Sequence, residues 1–317
     1  MADRYTVTGG AGFIGSHIAE RLLEEGHEVR ILDNLSTGHR HNVEPLLAAH
    51  GDRCEFLEGD VTSAEDCRAA VAGARFVIQE AALASVPRSL ADPLGTHEAN
   101  TTGTLRLLLA ARDAGVERLV FAGSSSVYGE SKKLPKDETI YPSPLSPYAL
   151  SKLMSEEYLK LFRMHYGLET VTLRYFNVFG PRQDPDSPYA AVIPLFVSAL
   201  LAGEAPTVHG DGLQSRDFTY VANVVDANLA ACTAPRATDV YNIACGARTT
   251  LLELLDRIQE LLGTNIPPKH TEPRPGDIRH SEADISRAVR DLGFHPRVSL
   301  AEGLAPTVAY FQEAFAG

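Results

Sequence analysis

Through residue 175, short apolar runs alternate with longer stretches in which apolar positions recur every third or fourth residue. Tyr5 to Thr8, Glu28 to Leu32, Cys54 to Glu58, Arg75 to Gln79, Arg118 to Ala122 and Thr170 to Leu173 read as strands. Between the first two, Ile18, Leu22 and Leu23 share one side of a charged stretch ending at Glu25-Gly26, which predicts an amphipathic helix. A second helix is predicted from Asn100 through Ala114, and another from Tyr148 through Leu150, Met154, Tyr158, Leu161 and Phe162. In the former, Leu105, Leu107, Leu108, Leu109, Ala110 and Ala111 spread around most of the circumference, so it must be covered on several faces. This alternation predicts an α/β fold with a doubly wound parallel sheet. It breaks near residue 176. Beyond it, a helix with Leu195, Phe196, Ala199 and Leu200, a helical stretch from Val224 to Ala231 and a strand from Val240 to Ala244 suggest a smaller C-terminal α/β lobe. The expected division is residues 1–175, with a returning segment around 217–245, and residues 176–317.

The first strand runs into Gly9-x-x-Gly12-x-x-Gly15, with Phe13 and Ile14 inside the motif. Glycines there permit a tight turn and let a pyrophosphate approach backbone N–H groups at the helix start. Asp33 ends the second strand, 18 residues after Gly15. It is placed to accept hydrogen bonds from an adenosine ribose and would repel a 2′-phosphate, favouring NAD over NADP. After the fourth strand, Ala81, Ala82, Leu83, Ala84 and Ser85 provide small residues beside which a cofactor can lie close to the backbone.

Candidate chemistry gathers in Ser146-Pro147-Tyr148-Ala149-Leu150-Ser151-Lys152. Tyr148 and Lys152 stand one helical turn apart on one face. A phenol with pKa about 10 is a poor base at neutral pH, and a neighbouring ammonium favours its phenolate. Ser124, Ser125 and Ser126 follow the fifth strand, at the end where open α/β sheets bind ligands. Ser124, with Ser126 as second candidate, offers a catalytic hydroxyl. Downstream, Arg216 and Arg274 sit in Gly/Pro/aromatic settings suited to clamping a diphosphate. His209 has no visible ligand partner, and packing or base stacking suits it better than catalysis.

The net charge of −12 over 317 residues argues against a nucleic-acid partner. Cys54, Cys67, Cys232 and Cys245 form no Cys-x-x-Cys pair, so neither a metal site nor a redox dithiol is expected. Reduced thiols, the absence of an evident leader and the absence of a spanning apolar run suggest a cytoplasmic protein that does not engage the membrane.

The glycine spacing resembles the extended short-chain dehydrogenase/reductases of the NAD-dependent epimerase/dehydratase family. Asp33-Asn34-Leu35-Ser36-Thr37-Gly38 resembles its sugar-nucleotide branch. Arg182 to Pro185, Tyr189 to Pro194 and Ala82-Leu83-x-Ser85-Val86-Pro87-Arg88-Ser89 look like the UDP-hexose 4-epimerases acting on N-acetylated sugars. The resemblance implies a Rossmann lobe binding NAD through Gly9, Gly12, Phe13, Ile14, Gly15, Asp33, Asn34, Ser36, Thr37, Gly38, Asp60, Val61, Ala81, Ala82, Leu83, Asn100, Tyr148, Lys152, Tyr175, Phe176 and Val178. It implies a UDP-sugar held by Ala84, Ser85, Ser124, Asn177, Ala191, Val192, Thr207, His209, Arg216, Arg274, Asp277 and Ser281.

Dehydratases of the family carry Thr-Asp-Glu where this chain has three serines, which disfavours water elimination. Ala84 stands where N-acetyl-selective relatives commonly have Gly, and Ser281 where glucose- and galactose-restricted enzymes have a bulky Tyr. The implied reaction is 4-epimerisation of UDP-N-acetylglucosamine and UDP-N-acetylgalactosamine, and also of UDP-glucose and UDP-galactose. Tyr148 takes the 4-hydroxyl proton, Lys152 lowers its pKa, Ser124 shares the proton, and a 4-keto sugar rotates before reduction on its other face. The family also pairs its helices near 100–114 and 148–166 in a homodimer. Alternatives are a UDP-glucuronate or UDP-N-acetylglucosaminuronate 4-epimerase, with Arg182 or Arg88 on the carboxylate, and a non-catalytic NAD-binding regulator.

Overall fold

The computed structural model describes residues 2–184, 191–273 and 278–316. Strands β1 (Arg4–Thr8), β2 (Glu28–Asp33), β3 (Cys54–Glu58), β4 (Phe76–Gln79), β5 (Arg118–Ser124) and β6 (Glu169–Tyr175) join one parallel sheet. Three short strands follow, β7 (Val178–Phe179), β8 (Thr207–His209) and β9 (Ser215–Arg216), then β10 (Thr219–Tyr220). The chain returns to the main sheet with β11 (Asp239–Ile243), which pairs with β6, and ends its strands with β12 (Thr249–Thr250) and β13 (Lys269–Thr271). The main sheet has seven strands in the order β11-β6-β5-β4-β1-β2-β3. Every residue of β4 and β5 is buried, as a sheet covered on both faces requires. The order reverses between β1 and β4, which opens a crevice at the strands' C-terminal ends.

Helices α1 (Phe13–Glu24), α2 (Glu44–His50), α3 (Ala64–Val71), α4 (Val86–Ala91), α5 (Pro93–His97), α6 (Gly103–Asp113) and α7 (Pro147–Tyr166) belong to the first lobe. Beyond them lie α8 (Val192–Leu201), α9 (Val221–Thr233), α10 (Leu251–Leu262), α11 (Ser286–Leu292) and α12 (Leu300–Ala316). Ile18 and Leu22 of α1 join Val224 and Ala231 of α9 in a core on one face of the sheet. Leu107 of α6 and Leu159 and Phe162 of α7 close the other face with α3. Arg118 ties β5 to the end of α9, donating to the carbonyls of Ala231, Cys232 and Ala234 at 2.8–3.1 Å. The Ala231 and Cys232 carbonyls belong to the last turn of α9, where intrahelical donors run out.

Two expectations change. Asn100 does not open a helix: α5 begins at Pro93 under an Asp92 cap and continues through a π-turn at Glu98–Thr102 into α6. The buried Asn100 side chain accepts from the Leu83 N–H at 2.8 Å and donates to Ser151 Oγ at 3.0 Å. The widened turn thus coincides with a side chain committed to a neighbouring loop. In the second lobe, α10 and α12 were not among the elements expected from the sequence. Leu254, Leu255 and Ile258 of α10 and Leu304, Val308 and Phe311 of α12 pack on Phe196 and Leu200 of α8, forming that lobe's core. A Thr250–Glu253 capping box starts α10 and Gly263 in the left-handed region ends it.

Candidate active site

Proton-transfer candidates converge where β5 ends against α7. Ser146 caps α7, its Oγ accepting from the Ala149 N–H at 3.1 Å, and Pro147 takes the first helical position. Tyr148 and Lys152 therefore begin the helix with a fixed register. Ser124 Oγ lies 2.8 Å from Ser126 Oγ and faces the Tyr148 phenol. Burial pushes the Tyr148 pKa up, and the Ser124 hydroxyl opposes that rise.

Lys152 lines the same cavity as Tyr148. Its Nζ donates to the Ala122 carbonyl at 2.8 Å and lies 4.8 Å from the centre of the Phe121 ring. The Ser124 hydroxyl thus favours the Tyr148 phenolate, while the Lys152 ammonium is engaged by β5. Burial pulls the Lys152 pKa down, and Glu80 pulls it back up.

Glu80 and Lys136 escaped sequence reasoning. Glu80 follows β4 and lines the cleft with Tyr148, Lys152 and Tyr175. Lys136 also lines it, although only 1% exposed, and donates to the Gly129 carbonyl at 3.2 Å. Neither belongs to a motif. The signal available for Glu80 was a charged residue at the end of an otherwise apolar strand.

At the crevice, a Cβ on Gly15 would stand 2.2 Å from Gly9 O, and one on Gly9 (φ +69°) would stand 2.6 Å from Ala81 N. Gly12 is different: its Cβ would meet only Gly9 O, at 3.1 Å. It caps α1 without any side-chain hydrogen bond, leaving the first-turn N–H groups of Phe13 and Ile14 for a ligand's anionic group. The buried Asp33 carboxylate accepts from Ala11 N at 2.9 Å and Leu35 N at 2.8 Å, and Gly38 passes so close that a Cβ would sit 2.9 Å from either oxygen. Ser36 and Thr37 lie exposed on the same loop. Asn34 donates to Asp60 at 2.7 Å, bridging the ends of β2 and β3. These features fit a dinucleotide, the half-used Asp33 oxygens on the ribose side and Gly12 on the pyrophosphate side.

Not every candidate reaches that space with its side chain. Val61 is buried against Cys67 and Leu107, and Phe176 packs against Val127, Tyr128 and Ala244. Asn100 stands behind the Leu83 loop. Ala82 lines the cleft, Ala81 and Leu83 flank it in the chain, and Ala84 lines its outer part. Ser85 caps α4, accepting from Arg88 N at 3.1 Å.

A cavity of about 570 Å³ holds Ser124, Ser126, Tyr148, Lys152 and Ser281. A second, of about 310 Å³, is lined by Ala191, Val192, Thr207 and His209. Asn177, Val178, Gln183 and Arg216 line both, so one groove runs from the first lobe into the second. Arg274 and Asp277 lie outside the described residues, as does the stretch 185–190. Arg182, at φ 65°, is bound by both Glu20 oxygens at 2.9 Å, which fastens the second lobe to α1. Asp217, fully buried, accepts from the N–H groups of Cys245, Gly246 and Ala283 at 2.9–3.1 Å. Ser281 donates its N–H to Ser215 O at 3.0 Å, and Lys136 N donates to Glu282 O at 2.8 Å. The Ser281 wall is thereby stitched between the two lobes.

The sequence profile of the NAD dependent epimerase/dehydratase family matches residues 5–244. The chain is 40% identical over 312 residues to the UDP-glucose 4-epimerase of Mycolicibacterium smegmatis, covering 98% of each. Among solved structures, it is similar to the UDP-N-acetylglucosamine 4-epimerase of Methanobrevibacter ruminantium M1 in complex with UDP-N-acetylmuramic acid. That match has a TM-score of 0.94 and 42% identity, over 99% of this chain and all of the other (100%). The UDP-glucuronic acid 4-epimerase of Bacillus cereus, solved with UDP-glucuronic acid and NAD, matches with a TM-score of 0.91 and 29% identity, over 98% of this chain and 99% of that one.

Proposed function

The chain belongs to the NAD dependent epimerase/dehydratase family and is an NAD-dependent UDP-sugar 4-epimerase, and we propose that it interconverts UDP-N-acetylglucosamine and UDP-N-acetylgalactosamine. UDP-glucose and UDP-galactose fit the same reading as smaller substrates. The observation that carries it is Ser281, a buried small residue on the cleft wall, where a hydroxymethyl leaves room for a 2-N-acetyl group.

The reaction divides among residues already placed. Bound NAD supplies reversible hydride acceptance at the carbon being inverted. Tyr148 takes the proton of the sugar 4-hydroxyl and later returns it. Ser124 hydrogen-bonds the 4-oxygen and relays to Ser126. Lys152 holds the base of the site against β5 and contributes its charge. Asn177, Val192, Thr207, His209 and Arg216 hold the nucleotide in the second-lobe cavity, with Arg274 and Asp277 assigned the same task. The 4-keto sugar turns in the wider cavity while its nucleotide stays gripped.

A substrate panel tests this reading. Purified protein is incubated with UDP-N-acetylglucosamine, UDP-glucose, UDP-glucuronate and UDP-N-acetylglucosaminuronate, and epimers are quantified by NMR. Ser281→Tyr should suppress turnover of N-acetylated sugars selectively; equal loss on glucose substrates sinks the steric assignment. One observation favours the uronic-acid alternative: Lys136, a cationic residue, is among those lining the cleft. Arg182 does not, since Glu20 engages it. Predominant turnover of the uronates, abolished by Lys136→Met, would replace the N-acetylhexosamine reading.

The protein is further proposed to work as a cytoplasmic homodimer. Leu109 of α6 and Leu150, Leu161 and Met164 of α7 are exposed, the last at 64%. Leu150, Met154, Tyr158 and Leu161 form a helical stripe, an apolar face that a second copy would cover. Light scattering coupled to size exclusion decides it, with a monomer mass counting against.

A further inference from the structure

Behind the cleft, a buried relay runs from α9 to the end of β4. Asn228 Nδ2 donates to Tyr175 Oη at 2.7 Å, and Tyr175 Oη donates to Glu80 Oε1 at 2.7 Å. Because Tyr175 already accepts from Asn228, its single proton points at Glu80, and Glu80 is the acceptor. Asn228 is itself fixed, donating to Val224 O at 2.9 Å, and the Glu80 backbone N–H is tied to Thr8 O at 3.0 Å. A neutral glutamine would serve this relay equally well as an acceptor. A carboxyl group instead places a charge on the wall of the cavity that Lys152 and Tyr148 also line.

We propose that Glu80 is a positioning residue of the proton-transfer centre, acting through Lys152: Tyr175 and Asn228 orient its carboxylate on the cavity wall that Lys152 and Tyr148 also line, where it serves as the counter-charge of the Lys152 ammonium. The inference rests on the roles given above to Tyr148 and Lys152. Each titratable group facing Glu80 can be named. Lys152 on α7 stabilises its ionised form, and the Tyr175 phenol on β6 does so by donating. Tyr148 on α7 feels it as a like charge that opposes the phenolate, and Cys232 on α9 touches the relay only through Tyr175. Burial pushes the Glu80 carboxyl up, opposed first by the Tyr175 hydrogen bond and then by Lys152, and pulls Lys152 down, opposed by Glu80.

Glu80→Gln keeps the acceptor for Tyr175 and removes the charge. In full-length protein carrying [ε-13C]lysine, the Lys152 signal is assigned by its loss in Lys152→Met and followed against pH. Its midpoint should fall by about one pH unit in Glu80→Gln, and the kcat–pH profile should move to lower pH on both limbs. Superimposable titrations overturn the proposal and leave Glu80 as a bracket for Tyr175. If Glu80→Gln does not fold, the wild-type chain with [δ-13C]glutamate decides. Glu80 should titrate above the ordinary carboxylate range and move higher still in Lys152→Met; an ordinary midpoint, or one indifferent to Lys152, overturns it. Normal turnover by Tyr148→Phe would instead sink the underlying catalytic reading while leaving these titrations intact.

Discussion

Lys152 donates a 2.8 Å hydrogen bond to the carbonyl of Ala122, two residues before Ser124, so the helix bearing the candidate base is fastened to the strand bearing its hydroxyl partner. One contact sets the register of both groups. Losing it should therefore damage geometry as well as charge.

Tyr148→Phe should lower kcat by about 10³-fold or more, and Lys152→Met by about 10²-fold or more, as expected for loss of a positioned proton-transfer group. Ser124→Ala should cost less, about 10-fold to 10²-fold, because Ser126 Oγ stands 2.8 Å away and can stand in. The Ser124→Ala/Ser126→Ala double variant should fall well below either single one. Initial rates of C4 epimer formation check this order.

The two motif glycines should separate folding from cofactor binding. In Gly15→Ala the new Cβ meets Gly9 O at 2.2 Å and Gly9 C at 2.8 Å, so backbone must move. A loss of about 1–3 kcal/mol in urea unfolding is expected. In Gly12→Ala the contact is a single one at 3.1 Å, and the chain should fold while NAD affinity drops about 10-fold or more. Calorimetric titration with NAD alongside urea unfolding distinguishes them.

Asp217→Ala strands three backbone donors, those of Cys245, Gly246 and Ala283, in a fully buried position. With about 1–3 kcal/mol for each unsatisfied group and partial relaxation, a loss of roughly 3–5 kcal/mol follows. Asp217 adjoins Arg216, and Ala283 lies two residues from Ser281. KM for the UDP-sugar should therefore rise even where the protein remains folded, as steady-state kinetics will show.

His17 gives a pH test of the seam between the lobes. Its Nε2 lies 3.0 Å from Pro181 O, and burial holds its pKa below the ordinary 6.5. It is thus neutral in the fold and protonates more readily in the unfolded chain. Its contribution is full above pH 6.5 and is lost as pH falls below that value. His17→Gln retains a donor and cannot titrate. The stability advantage of wild type over His17→Gln should therefore shrink between about pH 7 and pH 5, measured by urea unfolding at each pH.

The parallel sheet, the glycine turn and the Tyr148/Lys152 pair were legible because each is local: a period of two or 3.6, a residue type at a turn, a spacing of one helical turn. Ser281 was legible only through resemblance, since nothing near it in the chain announces a cavity, whereas Arg216 stood out by its Gly/Pro/aromatic setting. The helical repeat in Leu254, Leu255 and Ile258 was present in the sequence, but its partners on α8 and α12 were not.

By itself, the sequence determined the strands of the parallel sheet, the glycine turn and the helix carrying Tyr148 and Lys152, because backbone preference and apolar periodicity act over a few residues. Only the tertiary structure decided that Lys152 rests on Ala122, that Asn100 serves the Leu83 loop, and that Glu80 meets Tyr175 across 95 residues of chain. Desolvation and electrostatic coupling depend on distance in space, and the alternation that writes the sheet carries no record of which side chains its folding brings together.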